Sequence, residues 1–314
     1  MASNKLNVSE LDFDSIKTNL KTFLQSQPEF SDYNFEGSGF SVLLDLLAYN
    51  THYLGFNANM LANEMYLDSA DVRKNIVSLA KMLGYTPSSA KAPVANIDIK
   101  INNASGASIT MDKGSVFTST VEGTSYQFIT NSDITITPAD GVYNFSNVSI
   151  FEGTLVTFRY TVDTADPDQR FLIPSELADT TTLKVKVQNS ASDTTTSTYT
   201  KVTGLTSINS TSKVYFLQES EDEKFEVYFG DGVLGKAVDD GNIIILEYIV
   251  TNKEAANGAS SFTLSGNIGG FTDVSITTNS SAQGGSEPQT KESIRYNAPL
   301  QYSAQDRAVT TSDY

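Results

Sequence analysis

The chain has 314 residues, with 21 Lys and Arg against 37 Asp and Glu, a formal net charge of −16. That balance excludes a protein that works by neutralising phosphates, which needs clustered cations, and a basic membrane-surface protein. The absence of Cys excludes disulfides, thiolate metal sites, iron–sulfur clusters and Cys nucleophiles, and a single histidine, His52, excludes a three-His zinc site.

Hydrophobic residues at 39% and aromatic residues at 10% allow sizeable cores, so the chain is not a disordered tail. Its first residues carry no apolar stretch of the secretory type. The longest apolar run, Val42 to Leu47, is interrupted by Asp45 and falls far short of the ~20 residues of a membrane span. The composition is that of a soluble, acidic protein made in a reducing compartment.

Residues 1–91 read as helical. Phe13, Ile16, Leu20, Phe23 and Leu24 form one stripe of an amphipathic helix that stops before Pro28. After Gly37-Ser38-Gly39, with Ser38 or Ser41 as cap, a long helix carries Phe40, Leu43, Leu44, Leu47, Leu54, Ala58, Leu61 and Met65. A third helix is expected after Asp68-Ser69, either of which suits an N-cap. It carries Val72, Ile76, Leu79, Ala80 and Leu83 and stops at Gly84 with Pro87 beyond.

From Pro93 the period changes to two. Ala95, Ile97, Ile99 and Ile101 alternate with Asn96, Asp98, Lys100 and Asn102, a half-buried strand. Short alternating runs follow at 116–121, 126–130, 156–162, 183–187, 214–217, 225–229 and 243–250. Turn clusters separate them, among them Glu122-Gly123, Asp140-Gly141, Glu152-Gly153 and Asp240-Gly241-Asn242. The expected architecture is antiparallel and sandwich- or barrel-like. The polar segment 188–200 reads as a long hairpin tip or loop. Residues 256–286 are rich in Gly, Ser, Asn and Thr with a few strand pairs such as Val274 and Ile276. Around Glu287 the pattern turns helical through Ile294, Arg295 and Ala298, until Pro299. The acidity is uneven: residues 1–95 hold 7 basic and 10 acidic residues, residues 96–314 hold 14 and 27.

The string Phe229-Gly230-Asp231-Gly232-Val233-Leu234-Gly235-Lys236 contains G-x-G-x-x-G and the start of a phosphate-binding loop. Both nucleotide readings need a helix directly after the glycines, whereas a turn and the strand at 243–250 follow, and Ala237 replaces the Ser or Thr after Lys. The string therefore reads as a structural turn, with Gly230 and Gly232 at positive φ and Asp231 bonded to local backbone. His52 has no G-x-S-x-G serine to partner it. The carboxylates Asp163, Asp166 and Asp168, and Glu219, Glu221, Asp222 and Glu223, lack calcium-loop spacing and read as solvated faces. No pair of carboxylates is singled out for glycoside hydrolysis.

Tyr33, Phe35, Phe40, Tyr49, Tyr53, Phe56, Met60, Met65 and Tyr66 crowd beside Asn50, Asn57, Asn59 and Asn63. A three-helix unit of about 90 residues cannot turn all of them inward. A bundle shared with other chains accounts for them better than a self-contained one.

Several segments carry a resemblance. They are Leu11-Asp12-Phe13-Asp14-Ser15-Ile16-Lys17, Asp32-Tyr33-Asn34-Phe35-Glu36-Gly37-Ser38 and Leu43-Leu44-Asp45-Leu46-Leu47-Ala48-Tyr49-Asn50-Thr51. Ala62-Asn63-Glu64-Met65 and Leu79-Ala80-Lys81-Met82-Leu83-Gly84-Tyr85-Thr86-Pro87 follow. Together they resemble the baseplate wedge subunits of T-even-type contractile-tailed phages. The glycine string, Gly241-Asn242, Gly284-Gly285, Glu287, Arg295, Ala298-Pro299, Arg307-Ala308-Val309-Thr310 and Asp313-Tyr314 resemble the broader baseplate-J-like family. Residues 100–225 carry nothing diagnostic.

The resemblance implies a structural virion protein of the tail baseplate, assembled in the host cytoplasm and not an enzyme. It implies association with a second copy of itself, with other wedge proteins and with tail tube or sheath-initiating proteins. It implies no cofactor, metal, small-molecule substrate, nucleic acid or membrane. Family members form a ring that rearranges when the sheath contracts, and they continue beyond the last segment quoted, so the chain is expected to be an N-terminal portion.

The expected fold class is α+β. A partner-shared helical segment of three helices spans 1–91, a mainly antiparallel β-rich domain spans 92–280, and a further α+β domain starts at 281–314. The expected interface residues are Phe13, Leu20, Phe23, Leu43, Leu47, Leu54 and Leu61, and the expected structural turn is Gly230, Asp231, Gly232 and Gly235. The competing expectation is a tail-associated protein that binds or cleaves glycans through polar, Tyr-bearing strands.

Overall fold

The computed structural model describes residues 12–30, 36–102, 106–139, 142–166, 168–202, 208–220 and 223–304. Leu11, Tyr33, Phe35, Asp140-Gly141, Glu221-Asp222, Arg307 to Thr310 and Asp313-Tyr314, all named above, lie outside these residues. The fold is α+β, with helices first, a mostly antiparallel β region next and a last helix. The chain divides into two units, residues 1–85 with 291–314, and residues 86–290.

The helical unit contains α1 (Phe13–Gln25), α2 (Gly39–Glu64), α3 (Arg73–Met82) and α4 (Lys291–Ala304). Asp12 caps α1 by accepting the Ser15 N–H at 2.8 Å, and Ser38 caps α2 by accepting the Ser41 N–H at 3.3 Å. α1 packs along α2, and Lys17 pairs with Asp45 across them.

The start of α3 differs from expectation. Val72 is the N-cap, without a side-chain bond, and neither Asp68 nor Ser69 caps it. Glu64, the last residue of α2, replaces them. Its carboxylate accepts the Asp71 N–H at 2.8 Å, the Val72 N–H at 3.3 Å and the Asn75 side-chain amide at 2.7 Å. This carboxylate from the preceding helix ties down the amides of Asp71 and Val72, just ahead of the first turn of α3, and the Asn75 side chain within it. The far end follows the expected stop: Tyr85 N–H donates to Ala80 and Gly84 N–H to Lys81, with Gly84 at φ +78.

α4 runs through Pro299 instead of ending there. The proline leaves the Arg295 carbonyl without its helical donor. Ile294 and Ala298, both fully buried, pack with Ala70, Ile76, Val77 and Ala80 and anchor the helix ahead of the proline.

The β unit contains β1 (Val94–Ile101), β2 (Ile109–Met111), β3 (Val116–Val121), β4 (Thr124–Thr130), β5 (Ile134–Ile136), β6 (Tyr143–Glu152), β7 (Thr154–Thr161) and β8 (Phe171–Leu172). It continues with β9 (Ala178–Gln188), β10 (Thr196–Lys201), β11 (Val214–Glu219), β12 (Phe225–Phe229), β13 (Ile243–Val250), a 3-10 turn at Lys253–Ala256, β14 (Thr263–Ser265) and β15 (Val274–Gln283).

One sheet has the order β14-β3-β4-β6-β1-β15, the other β7-β13-β9-β10-β11-β12-β8, and β2 pairs with β5. All pairs are antiparallel except β10 with β11. The polar segment 188–200 is therefore a loop only at its tip, because Thr196 to Tyr199 pair with β9. β15 is likewise a full strand, paired with β1 over most of its length. Its apolar residues Val274 and Ile276 sit two apart amid Ser and Thr, too sparse a signal for a ten-residue strand.

Two large cores and a smaller cluster of Ala92, Ile129 and Ile249 fill the unit. Ile97, Ile99, Phe117, Phe128 and Phe145 lead the first, and Phe171, Val185, Phe225, Val227, Leu246 and Tyr248 lead the second. The chain steps from the first sheet to the second between β6 and β7 through Gly153 alone, at φ +120, where a Cβ would run into the Val250 carbonyl. Beside it Glu152 is fully buried and accepts from the Thr251 hydroxyl at 2.7 Å, the Asn252 N–H at 2.9 Å and the Asn252 side-chain amide at 2.6 Å.

Candidate partner interface

α2 is apolar on nearly every side, yet among its residues only Leu44, Ala48 and Asn59 are buried. At 3.6 residues per turn, Leu43, Leu47, Leu54 and Leu61 follow one another by four, seven and seven residues along a single line of the helix. These four leucines are between 53% and 64% exposed. Asn50 and Asn57 sit three residues after Leu47 and Leu54, on the same line. The result is a seam of alternating Leu and Asn at heptad spacing.

Val42, Leu46, Tyr49, Tyr53, Phe56 and Met60 widen the seam and are also exposed. Tyr49 and Tyr53 stack on each other, 6.1 Å between ring centres. Single exposed apolar residues are ordinary, whereas a contiguous face of this extent marks an interaction site.

Of the remaining expected interface residues, Phe23 is exposed, while Phe13 and Leu20 are half-buried on α1. Met82 at the end of α3 and Tyr296, Leu300 and Tyr302 on α4, none of them among the expected residues, are also exposed. The signal was present in α4, where Ile294 and Ala298 occupy the core side and the other large apolar residues are left over. Leu300 and Tyr302 lie beyond Pro299, where the sequence predicts a stop. His52 lies half-buried within α2.

The glycine string is a turn between β12 and β13. Asp231 accepts the Val233 N–H at 2.9 Å and the Leu234 N–H at 3.1 Å, and these bonds hold its carboxyl below the usual carboxylate range. Gly232 and Gly235 take φ +88 and +90. Gly230, expected at positive φ, does not; it is glycine because a Cβ there would overlap the Leu234 carbonyl. Gly235 N–H donates to Asn209 at 3.2 Å and Lys236 N–H to Ser212 at 2.8 Å, which pins the turn to the 209–212 segment. Asp163 and Asp166 spend their oxygens on the local amides of Ala165 and Asp168.

Residues 12–85, which hold α1 to α3, match the family model of the baseplate wedge protein gp6-like helical domain. Residues 157–259, from within β7 to just past the 3-10 turn, match that of the third domain of bacteriophage baseplate wedge protein gp6. Both models describe domains of baseplate wedge protein gp6, and together with the relative below they support a baseplate wedge subunit. Baseplate wedge protein gp6 of Enterobacteria phage T4 is 29% identical over 328 aligned residues, which cover 96% of this chain. This chain spans 48% of that relative's length. A chain in the 6-fold symmetrised cryo-EM structure of the anti-feeding prophage baseplate aligns over 98% of this chain and 63% of its own, at 11% identity and a TM-score of 0.39.

Proposed function

We propose that this chain is a structural subunit of the tail baseplate wedge in a contractile-tailed phage virion, and that its α2 seam is where it joins its partners. The exposed line Leu43, Leu47, Leu54 and Leu61 supports this reading. A helix 26 residues long that leaves most of its large apolar side chains in water is incomplete by itself. Burial of a Leu contributes about 1.5–3 kcal/mol, which only a partner helix can supply here. The partners are a second copy of the chain, other wedge proteins and tail tube or sheath-initiating proteins, and the subunit takes part in the ring that rearranges on contraction. Its work is done by surfaces, without catalysis, cofactor, nucleic acid or membrane. Asn50 and Asn57 act as register markers, because an amide in an apolar seam is tolerated only opposite a partner that satisfies it.

The turn built by Gly230, Asp231, Gly232 and Gly235 shapes the β unit and binds no ligand. Co-expression with the neighbouring tail genes, followed by mass measurement, tests the reading. A complex that Leu54→Glu abolishes is expected; a wild-type chain that stays monomeric beside every tail protein would end it.

A further inference from the structure

We propose that the outer face of β7, β13 and β9 is a docking groove for a carboxylate-rich segment of a partner protein. This surface belongs to the β unit and does not rest on the helical seam.

Strand alternation builds the groove. Val156 and Tyr160 of β7, Ile244, Leu246 and Tyr248 of β13, and Val185 and Val187 of β9 pack into the second core. The residues between them face the other way. There the register sets Arg159, Ile245 and Lys186 side by side across the three strands, and Glu247 opposite Lys184 in the next row. A groove of about 500 Å³ is lined by Arg159, Ile245, Lys186 and Glu247, and by Ala191 and Thr194 from the β9–β10 tip.

Four cations meet two carboxylates on this face. Glu247, almost fully buried, accepts from Lys113 Nζ at 2.7 Å and from Lys186 Nζ at 3.3 Å. Asp133 accepts the Lys113 N–H at 2.7 Å. Lys184 Nζ donates to the Asn131 carbonyl. Arg159 is exposed and has no side-chain partner among the described residues. Burial above all holds Lys184 below the usual lysine pKa, and Lys186 and Lys113 add to this, against the pull of Glu247 and Asp133. The face therefore has too little negative charge for its own cations, on a chain whose net charge is −16. Glu247 shows what such a place accepts, a carboxylate held between two ammonium groups. A second carboxylate set between Arg159 and Lys186 repeats that arrangement.

Size and surroundings select a protein segment. Neighbouring strands lie about 4.8 Å apart, so Arg159 and Lys186 stand about 10 Å apart, the span of a few peptide residues. Around them residues 96–314 hold 27 acidic against 14 basic residues. A nucleic acid would run past the groove onto that acidic surface, and a second copy brings the same net charge of −16. A short acidic stretch feels chiefly the charges within the Debye length, about 8 Å at physiological salt. Exposed ion pairs are weak singly, so the groove orients a partner that other contacts retain.

Fluorescein-labelled hexaglutamate, titrated into the full chain at low salt, is the probe. Binding is expected, weakened roughly three- to ten-fold by Arg159→Gln and lost when Lys186→Gln is added. Arg159 is exposed, so its replacement by itself leaves the fold intact. Lys100→Gln, on β1, makes the same charge change outside the groove and is expected to hold the affinity within roughly two-fold. Carbodiimide coupling of the bound peptide should mark Lys113, Lys184 or Lys186 ahead of the other lysines. Leu54→Glu should leave the affinity unchanged, which separates failure of this groove from failure of the helical seam. No binding by the wild type, an equal loss with Lys100→Gln, tighter binding of a thymidine oligonucleotide of equal charge, or a dimer that Arg159→Gln dissolves would overturn the proposal.

Discussion

Glu64 shows how one side chain replaces a local rule. Burial works to raise its pKa, but the bonds from Asn75, Asp71 and Val72 outweigh burial and hold it below its ordinary value of 4.5. A carboxylate with a depressed folded-state pKa stabilises the fold above the unfolded value, and that contribution fades as pH falls through the lower folded value. The start of α3 is therefore expected to lose amide protection at Asp71 and Val72 as pH drops below 4.5, as hydrogen exchange would show. Glu64→Ala should cost about 0.5–2 kcal/mol at neutral pH in thermal unfolding, the range of a lost helix cap. Gly230→Ala should cost about 1–3 kcal/mol, since its Cβ meets a backbone carbonyl that cannot swing aside. Gly232→Val should likewise lower stability and leave ligand binding out of the picture, because the strain of φ +88 is conformational. A nucleotide shift in the melting temperature of the wild type would contradict the structural reading of this turn.

Among the elements, α2 carries the proposed interface. Leu54→Glu is expected to leave the fold of the isolated chain unchanged, because that side chain is already in water, and to weaken association roughly 30-fold or more. Asn57→Leu should act in the opposite direction, raising the apparent affinity while admitting misregistered complexes, which native mass spectrometry would resolve as added stoichiometries. The periodicity of α1 and most short strands was legible because each gathers its apolar side chains on one face and so repeats at 3.6 or 2 residues. β10, β15 and the length of α4 were not. β10 is a Thr and Ser strand held by its neighbours, β15 alternates Ser and Thr with few apolar residues, and α4 is anchored on α3 ahead of its proline. In each case tertiary pairing decided against local propensity.

For the molecule as a whole, the division into residues 1–85 with 291–314 and residues 86–290 makes a strong prediction. The segment 86–290 expressed alone should keep a β-rich circular dichroism spectrum and cooperative melting, since its cores are drawn from within it. It should fail to join wedge complexes, because the seam is gone. A fragment that still enters them would move the principal interface to the β unit.

By itself the sequence determined the chemical limits of the protein, acidic and without cysteine, and the change from a helical to a β-rich chain near residue 92. It also determined the surplus of apolar side chains on α2, because composition and periodicity are local quantities. Only the tertiary structure decided which apolar residues stay in water and that Glu64 replaces a cap. It also decided that Gly230 is required for space and that β15 is a full strand paired with β1. Each of these depends on atoms brought together from distant parts of the chain.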